Sequence, residues 1–325
     1  MNEKFKEFMG RFSGQKVALA VSGGVDSICL LHWVAALGMD AVCLHVNHGL
    51  RAAADADQEY VRQTCLALNM PCHIFHWSDD KPATGIEAAA RDARYRMMLG
   101  FCRENDIPNL VVAHQADDQI ETFLMNLGRG SGLAGLAAMR AVSVRDGVRI
   151  LRPLLNIGRA ELVAWCDAHG VRYARDEMNS DEKYTRVRIR QNRHLLCDKL
   201  GISDARILLA IENLGHVRDR MDADIATRVA SVVSDGYAMF PDSFLFDAAP
   251  DIGLKLLGTL IQTIGGDSYR PRLESLRGAY DRLRTDCKFT LGHCTLRRLG
   301  ARILIVPEGA KTTFRKRNGK ENKKN

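Results

Sequence analysis

The loop SGGVDS at residues 22–27 follows an apolar run at 17–21 and precedes an amphipathic segment. Its position and its glycines and serines are typical of a phosphate-binding turn between a strand and a helix. Two adjacent glycines let the backbone turn sharply and direct its N–H groups toward one point. A helix that begins here adds unpaired N–H donors and a partial positive charge. The hydroxyls of Ser22 and Ser27 add side-chain donors. The loop therefore predicts a socket for a polyanion, most simply pyrophosphate, and it lacks the lysine of a Walker A loop.

A second group of reactive side chains is the acidic segment HQADDQIET at residues 114–122. Asp118 and Glu121 are three residues apart and share one face of a helix. Together with Asp117, these carboxylates could cap the helix, hold Mg²⁺ on nucleotide phosphates, or bind a cationic substrate. His114 opens the segment, directly after an apolar run.

Arginines form a third group in two parts of the chain. Arg94, next to Tyr95, suits a carboxylate or a phosphate, whereas Arg91 could form an ordinary surface ion pair with Glu87, four residues before it. Residues 172–193 carry seven basic side chains with acids between them. This segment is either a salt-bridged surface or a cleft edge where arginines meet phosphates. His45 and His48 lack an evident third metal ligand, which favours packing or hydrogen bonding over metal binding.

The elements that must position these groups alternate between strand and helix. Apolar runs predict strands at 17–21, 41–46, 72–77, 109–113 and 148–151, and helical periodicity predicts helices over 54–68, 85–105, 114–127 and 158–169. This order predicts a doubly wound parallel α/β sheet, in which ligands bind beyond the carboxyl ends of the strands. Ser22, Asn47 and His114 all follow strands directly. The G-x-G pattern at 128–135 follows a helix instead, which excludes a Rossmann fingerprint.

The remainder of the chain predicts a smaller second domain. Helical periodicity runs over 203–233, and the composition changes near 237–241. We expect a strand at 243–246, helices at 252–264 and 271–283, and strands at 289–297 and 302–306, which make a small α+β domain. The predicted organisation is a catalytic domain at 1–200, a helical linker at 201–236, an α+β domain at 237–310 and a basic tail at 311–325.

Charge and composition restrict the class of protein. The net charge of the 325 residues is +7, and the tail 311–325 carries seven lysines and arginines against one glutamate. This tail is either a disordered, solvated segment or a contact for a phosphate backbone. The sequence has no long apolar run and begins without a signal-peptide pattern, so we expect a cytoplasmic protein that does not enter a membrane. None of the nine cysteines forms C-x-x-C, which predicts buried, reduced thiols.

The ordered set of motifs resembles a known family. SGGVDS resembles the PP-loop of the N-type ATP pyrophosphatases, and the whole set is similar to the bacterial tRNA(Ile)-lysidine synthases. The other motifs are HVNHGLR (45–51), EAAARDARY (87–95), AHQADDQIET (113–122), RGSGLAGL (129–136), RPLL (152–155) and DEMNSDEKYTRVRIR (176–190). The chain departs from that family at Gln115, Met178 and Val187, where a His, a Ser and an Asn are usual. It resembles the compact members, which have one small C-terminal domain.

The resemblance implies a two-step ligation. O2 of cytidine 34 in the CAU anticodon attacks the α-phosphate of ATP and expels pyrophosphate, and the ε-amine of L-lysine then attacks C2 and expels AMP. The implied ATP site is Ser22, Gly23, Gly24, Val25, Asp26 and Ser27. Asp26 and Asp117 are the implied magnesium ligands and, with His114 as base, the catalytic groups.

The same resemblance implies the sites of the other two substrates. Lysine would be bound by Asp118, Glu121, Arg91 and Arg94, and tRNA by Arg129, Arg175, Arg186, Arg188 and Arg190. A tRNA thiolase with the same loop would need cysteine pairs, and an inactive RNA-binding module would need no intact loop. The oligomeric state stays open, with a homodimer as one alternative.

Overall fold

The computed structural model of the chain describes residues 1–49, 54–79, 82, 84–174, 185–267, 269–285 and 288–310. Within it, contacts divide the chain into two units, Met1–Arg218 and Asp219–Asn325. One long helix, Asp204–Ala230, includes residues of both units. The domain boundaries that the sequence predicts, after residue 200 and before residue 237, stay predictions.

The first unit contains a six-stranded sheet with helices connecting its parallel strands. Its strands are β1 (Val17–Ala20), β2 (Ala41–Asn47), β3 (Cys72–His76), β4 (Asn109–Val112), β5 (Val142–Arg145) and β6 (Val148–Leu151). Its helices are α1 (Glu3–Gly10), α2 (Val25–Ala36), α3 (Ala54–Ala67), α4 (Ile86–Glu104), α5 (Ala116–Gly128), α6 (Leu133–Leu136), α7 (Arg159–Ala168), α8 (Thr185–Asn192), α9 (His194–Leu200) and the first part of α10 (Asp204–Ala230).

The strand order β3-β2-β1-β4-β6-β5 places a change of winding direction between β1 and β4. All neighbours pair in parallel except β5 and β6, so the predicted parallel α/β fold is confirmed. The chain moves outward from β1 through β2 to β3 and then returns to β4 on the other side of β1. Loops after β1 and β4 therefore diverge at this switch point, where open α/β sheets bind ligands.

Apolar side chains cover both faces of this sheet, as a parallel sheet requires. Val17 and Leu19 pack on one face with α2 residues such as Trp33. Ala18 packs on the other face with Leu99 of α4. The continuous apolar run of β1 therefore reflects burial on two sides and fixes the start of the loop at residue 22.

Two features of this unit differ from the sequence-based expectation. The edge strand β5 was not expected, because its four residues alternate between exposed and half-buried and lack an apolar run. The arginine-rich segment contains α8, whose only buried residue is Val187, so it carries no amphipathic signal. Neither feature could be read from hydrophobic periodicity.

The second unit is an α+β fold, as expected, and its sheet has five antiparallel strands. Its strands are β7 (Val233–Ser234), β8 (Tyr237–Pro241), β9 (Lys288–Leu291), β10 (Cys294–Leu299) and β11 (Arg302–Pro307), in the order β7-β8-β11-β10-β9. Its helices are α11 (Ser243–Phe246), α12 (Pro250–Gly265) and α13 (Leu273–Arg282). In the described residues, no helix combines the length and apolarity needed to cross a membrane.

Two element predictions for this unit were wrong. Residues 243–246 form α11 rather than a strand, because the carbonyl of Asp242 accepts the N–H groups of Leu245 and Phe246 and closes a helical turn. The strand predicted at 289–297 is a hairpin of β9 and β10, since Gly292 and His293 both adopt positive φ and reverse the chain. A short apolar segment does not by itself distinguish a helical turn from a strand.

Candidate active site

The glycine loop after β1 contains a backbone conformation that favours glycine, and a neighbouring segment holds it in place. Gly23 has φ of +96°, a conformation that favours glycine. A Cβ atom placed on Gly23 would lie 3.6 Å from its nearest neighbour, a side-chain atom of Val61, which is an ordinary contact. The carbonyl of Gly23 accepts the N–H of Ala174 at 3.0 Å. The residue is thus required by backbone conformation rather than by lack of space.

The hydroxyl of Ser27 ties the loop together internally. It accepts the N–H of Ser22 at 3.1 Å and donates to the carbonyl of Gly24 at 2.9 Å. Its proton is therefore used within the loop, so the predicted role of Ser27 as a donor to ATP is better assigned to shaping the loop. Gly24 caps α2 without a side-chain hydrogen bond, which leaves the first N–H groups of the helix for an anion.

A cleft of about 480 Å³ opens above this loop. Its walls include Ser22, Gly24 and Asp26 of the loop, Arg91 and Arg94 of α4, and His114 after β4. The volume lies in the range that small-molecule sites occupy, roughly 300–1,000 Å³. The loops after β1, β2 and β4 meet at this cleft, as the positions of Ser22, Asn47 and His114 predict.

Arginines give one wall of the cleft a strong positive charge. The guanidinium groups of Arg91 and Arg94 lie 5.4 and 5.9 Å from the ring centre of Tyr95. Burial lowers the pKa of Arg94 below its ordinary value. In the described part of the chain neither arginine forms an ion pair with a carboxylate. Two guanidinium groups on one wall of the cleft favour the binding of an anion.

His114 stays neutral in this environment. Burial, followed by the charges of Arg152 and Arg91, lowers its pKa to about 3. A general base works best with a pKa near the operating pH, so the predicted role of His114 as the base is not favoured. Its Nδ1 is buried without a hydrogen-bond partner among the described residues. A neutral ring that hydrogen-bonds to a ligand fits these observations better.

Asp26 carries a partly unpaired carboxylate into the cleft. Its Oδ2 lies 3.5 Å from Nη1 of Arg159, while its Oδ1 is buried and has no hydrogen-bond partner in the described part of the chain. Burial raises its pKa to about 6, Arg159 opposes this rise, and the charges of Asp118 and Asp117 add to it. The acidic cluster and the glycine loop therefore share one electrostatic environment.

Asp26→Asn should weaken catalysis without weakening the fold. A raised pKa means that the ionised carboxylate is less stable in the folded chain than in the unfolded chain, so at neutral pH the amide removes an unfavourable charge. We expect an equal or higher midpoint of thermal unfolding in metal-free buffer, together with a fall in ATP turnover of about 100-fold or more. A lower midpoint with normal turnover would contradict the assignment of Asp26 to function.

Glu121 lies fully buried in α5 and keeps one oxygen unpaired. Its Oε1 accepts a hydrogen bond from Nε of Arg190 at 2.7 Å, and its Oε2 has no partner among the described residues. The structure places the guanidinium of Arg190, predicted to contact tRNA phosphates, against this carboxylate, and its contact with tRNA stays a prediction. The unpaired oxygen suits a cationic group.

The remaining two acids of α5 have different local roles. Asp118 accepts the backbone N–H of Gln115 at 3.1 Å, and the Gln115 side chain accepts that of Asp117 at 2.6 Å, which completes a capping box. Gln115, at a position where a histidine is usual in the family that the sequence resembles, therefore still caps the helix. Asp117 pairs with Nη2 of Arg193 at 2.6 Å, and the same nitrogen lies 3.1 Å from Asp204.

The other predicted tRNA residues divide into two sets. Arg129, Arg186 and Arg188 are exposed, and Arg186 lies close enough to His114 to act on its pKa. Arg175, the segment 176–184 and the tail 311–325 lie outside the described residues. Arg159, which contacts Asp26, carries no local signal in the sequence, and Arg193, which contacts Asp117, belongs to the arginine-rich segment 172–193, although its partner is far away along the chain.

Comparisons with known proteins identify relatives over most of the chain. A family model of the PP-loop domain matches residues 1–195. A tRNA(Ile)-lysidine synthase of Wolbachia from Brugia malayi is 33% identical over 94% of this chain and 74% of its own. Enzymes of the same name from Bradyrhizobium diazoefficiens and Methylobacterium nodulans are 32% and 34% identical, with 94% of each chain covered.

A solved structure supports the fold alone. A U34-tRNA thiolase from Methanococcus maripaludis, described with its [4Fe-4S] cluster, superposes with a TM-score of 0.56 at 19% identity, over 66% of this chain and 76% of its own. At this identity the likeness does not extend to chemistry, and the present sequence has no C-x-x-C pair. The PP-loop match and the curated relatives together place the chain in the tRNA(Ile)-lysidine synthase family.

Proposed function

We propose that this enzyme joins L-lysine to C2 of cytidine 34 in the CAU anticodon of tRNA(Ile), with cleavage of ATP to AMP and pyrophosphate. The observation that carries the proposal is the cleft in which Ser22, Gly24 and Asp26 of the glycine loop lie with Arg91 and Arg94. An anion socket beside a cation site matches a reaction that uses both a nucleotide and an amine. The product tRNA reads AUA instead of AUG.

In the first step, O2 of cytidine 34 forms a bond to the α-phosphorus while the bond to pyrophosphate breaks. The N–H groups at the start of α2 and the hydroxyl of Ser22 would hold the pyrophosphate. Arg91 and Arg94 would offset the negative charge that develops on the phosphate oxygens. The base must leave its stack to reach this cleft.

The chain also has side chains that fit Mg²⁺ with the nucleotide. The unpaired, buried Oδ1 of Asp26 is a hard oxygen ligand of the kind that Mg²⁺ prefers. Asp117 could add a second oxygen, although Oδ1 of Asp117 contacts Arg193 in this structure. Bound Mg²⁺ would neutralise phosphate charge.

In the second step, the ε-ammonium of lysine would give a proton to a neighbouring carboxylate, and the resulting amine forms a bond to C2 while the bond between O2 and that carbon breaks, which releases AMP. We assign the ammonium of the incoming lysine to Glu121 Oε2 and to Asp118. Arg190 occupies the other oxygen of Glu121 through an ion pair of 2.7 Å. Arg91 or Arg94 would bind the lysine carboxylate.

The tRNA would be bound by exposed arginines of the first unit and by the basic tail. Arg129, Arg186 and Arg188 face solvent and are available to phosphates, and Arg175 belongs to the same predicted set. A protein that acts on tRNA in this way would work in the cytoplasm. Mass measurement in solution would distinguish a monomer from a homodimer.

Removal of residues 311–325 should reduce the salt dependence of tRNA binding. Each lysine or arginine that contacts a phosphate adds roughly 0.7–0.9 to the slope of log affinity against log salt concentration. A shorter chain should therefore show a shallower slope, with the largest loss of affinity at low salt. An identical slope for the full and truncated chains would show that the tail does not contact phosphate.

The proposed function separates into two measurable partial reactions. Pyrophosphate release should require ATP and a tRNA with the CAU anticodon, and AMP release should require lysine as well. The same tRNA with a UAU or GAU anticodon is the matched control, because it lacks a cytidine at position 34. Pyrophosphate release with that control at the normal rate would reject the assignment of the nucleophile.

A further inference from the structure

Three cysteines of the first unit meet away from the cleft. Cys43 lies on β2, Cys65 on α3 and Cys72 at the start of β3, and their sulfur atoms all lie within 4.8 Å of one another. Cys43 and Cys65 are fully buried, while Cys72 is half-buried. The described cysteines are free thiols. No sequence motif predicts this cluster, since the three residues are far apart along the chain.

The fold holds this cysteine triad in place. Cys43 and Cys72 are direct partners in the parallel register of β2 and β3. The N–H of Cys43 donates to the carbonyl of Pro71, and the N–H of Met70 donates to that of Cys65. The end of α3, which connects β2 to β3, is therefore held against the sheet, and this places the sulfur of Cys65 beside those of Cys43 and Cys72.

Cys102 gives the contrast to this cysteine triad. It is a free, buried thiol on α4 and does not belong to the cluster.

We propose that Cys43, Cys65 and Cys72 form a binding site for a soft, thiophilic d¹⁰ cation, namely Zn²⁺ or Cu⁺. Three thiolates are the ligand type that such ions select over oxygen ligands. With metal–sulfur bonds of about 2.3 Å, the sulfurs would be about 4 Å apart, so the triad needs only a small contraction. The exposed side of Cys72 provides the entry path and room for a water as fourth ligand of Zn²⁺.

Cys43, Cys65 and Cys72 do not line the nucleotide cleft, although His45, two residues after Cys43 on β2, does. Asn47 donates to Asp55 and Gln58 of α3 at 2.8 and 3.0 Å. A cation at the triad would therefore link α3 to both strands and support the loop that follows β2, without competing with Mg²⁺ for oxygen ligands.

The test uses the full chain, reduced and freed of metal, titrated with Zn²⁺ and separately with Cu⁺ against a colorimetric chelator. We expect one equivalent of at least one ion per chain and protection of three thiols from alkylation. Cys65→Ala should weaken this binding by about 100-fold or more, because a structural metal site depends on every ligand. Cys102→Ala removes an isolated buried thiol and should bind normally. Tighter Cu⁺ binding would indicate three-coordinate sulfur, and tighter Zn²⁺ binding would indicate a fourth ligand.

Circular dichroism would show whether the Cys65→Ala variant folds. If that variant does not fold, Cys72→Ala is used instead, because Cys72 is half-buried at the start of β3. The proposal is overturned if neither ion binds, if the cysteine variants bind as the full chain does, or if the triad thiols stay reactive in the metal-loaded protein. Formation of an intramolecular disulfide by the triad on exposure to peroxide, with no metal bound beforehand, would instead assign it to redox chemistry. These readouts do not depend on tRNA or ATP turnover, so they are independent of the proposed function.

Discussion

Glu121→Gln should abolish lysine transfer while the adenylation of tRNA continues. The substitution keeps the shape of a fully buried side chain but removes the charge that an ammonium group would meet. Loss of one partner from a buried charge pair costs about 2–5 kcal/mol, which corresponds to a fall in kcat/KM for lysine of roughly 30- to 4,000-fold. Pyrophosphate release with tRNA should stay within about 2-fold of normal, because that step does not use the ammonium.

The control for Glu121→Gln is Glu104→Gln, at the exposed end of α4, which makes the same chemical change outside the cleft. It should leave both partial reactions unchanged. Normal dependence on lysine in Glu121→Gln would contradict the assignment of the ammonium site. An equal loss of both partial reactions would place Glu121 in folding or adenylation instead, and the midpoint of thermal unfolding would tell these two apart.

Gly23→Ala should disable ATP binding through the backbone. The position has φ of +96°, whereas the nearest side-chain atom to an added Cβ is 3.6 Å away, so the substitution strains the loop without a clash. An L side chain in such a conformation costs about 1–2 kcal/mol. Relief of this strain would turn the peptide that directs N–H groups at the pyrophosphate, and we expect the Kd for ATP to rise about 10-fold or more.

Gly38→Ala separates strain from function. Gly38 also has positive φ, at +63°, with open space around it, and it lies in the exposed turn after α2. Both variants should lose similar stability in thermal unfolding, but only Gly23→Ala should lose ATP affinity in calorimetry. Equal ATP affinities in the two variants would show that the loop conformation does not determine nucleotide binding.

The sequence predicts the architecture of the first unit because burial on two faces gives its parallel strands continuous apolar runs. The runs at β1, β2 and β4 mark both the strands and the loops that follow them, so the position of the cleft follows from the same signal. Short, half-exposed elements carry no such signal, which explains why β5 and α8 were not expected.

The candidate site is only partly predictable for a different reason. The types of Asp26, Asp117 and Glu121 suggest charge chemistry, but their partners are decided by tertiary contacts. Arg190 shows this, because its place in an arginine-rich run suggests phosphate binding while the fold brings it to Glu121. The pKa of His114 likewise depends on burial and on arginines from other elements, which no local pattern contains.

Mass spectrometry of nucleotide 34 tests the central claim most directly. Transcribed tRNA(Ile) with a CAU anticodon is incubated with the full chain, ATP and isotopically labelled L-lysine, digested to nucleosides and compared with reactions that lack ATP, lysine or enzyme. We predict that cytidine 34 gains one lysine with loss of one water, that the product carries the label, and that every omission prevents it. An unmodified cytidine 34, or a product that forms without lysine, would contradict the account.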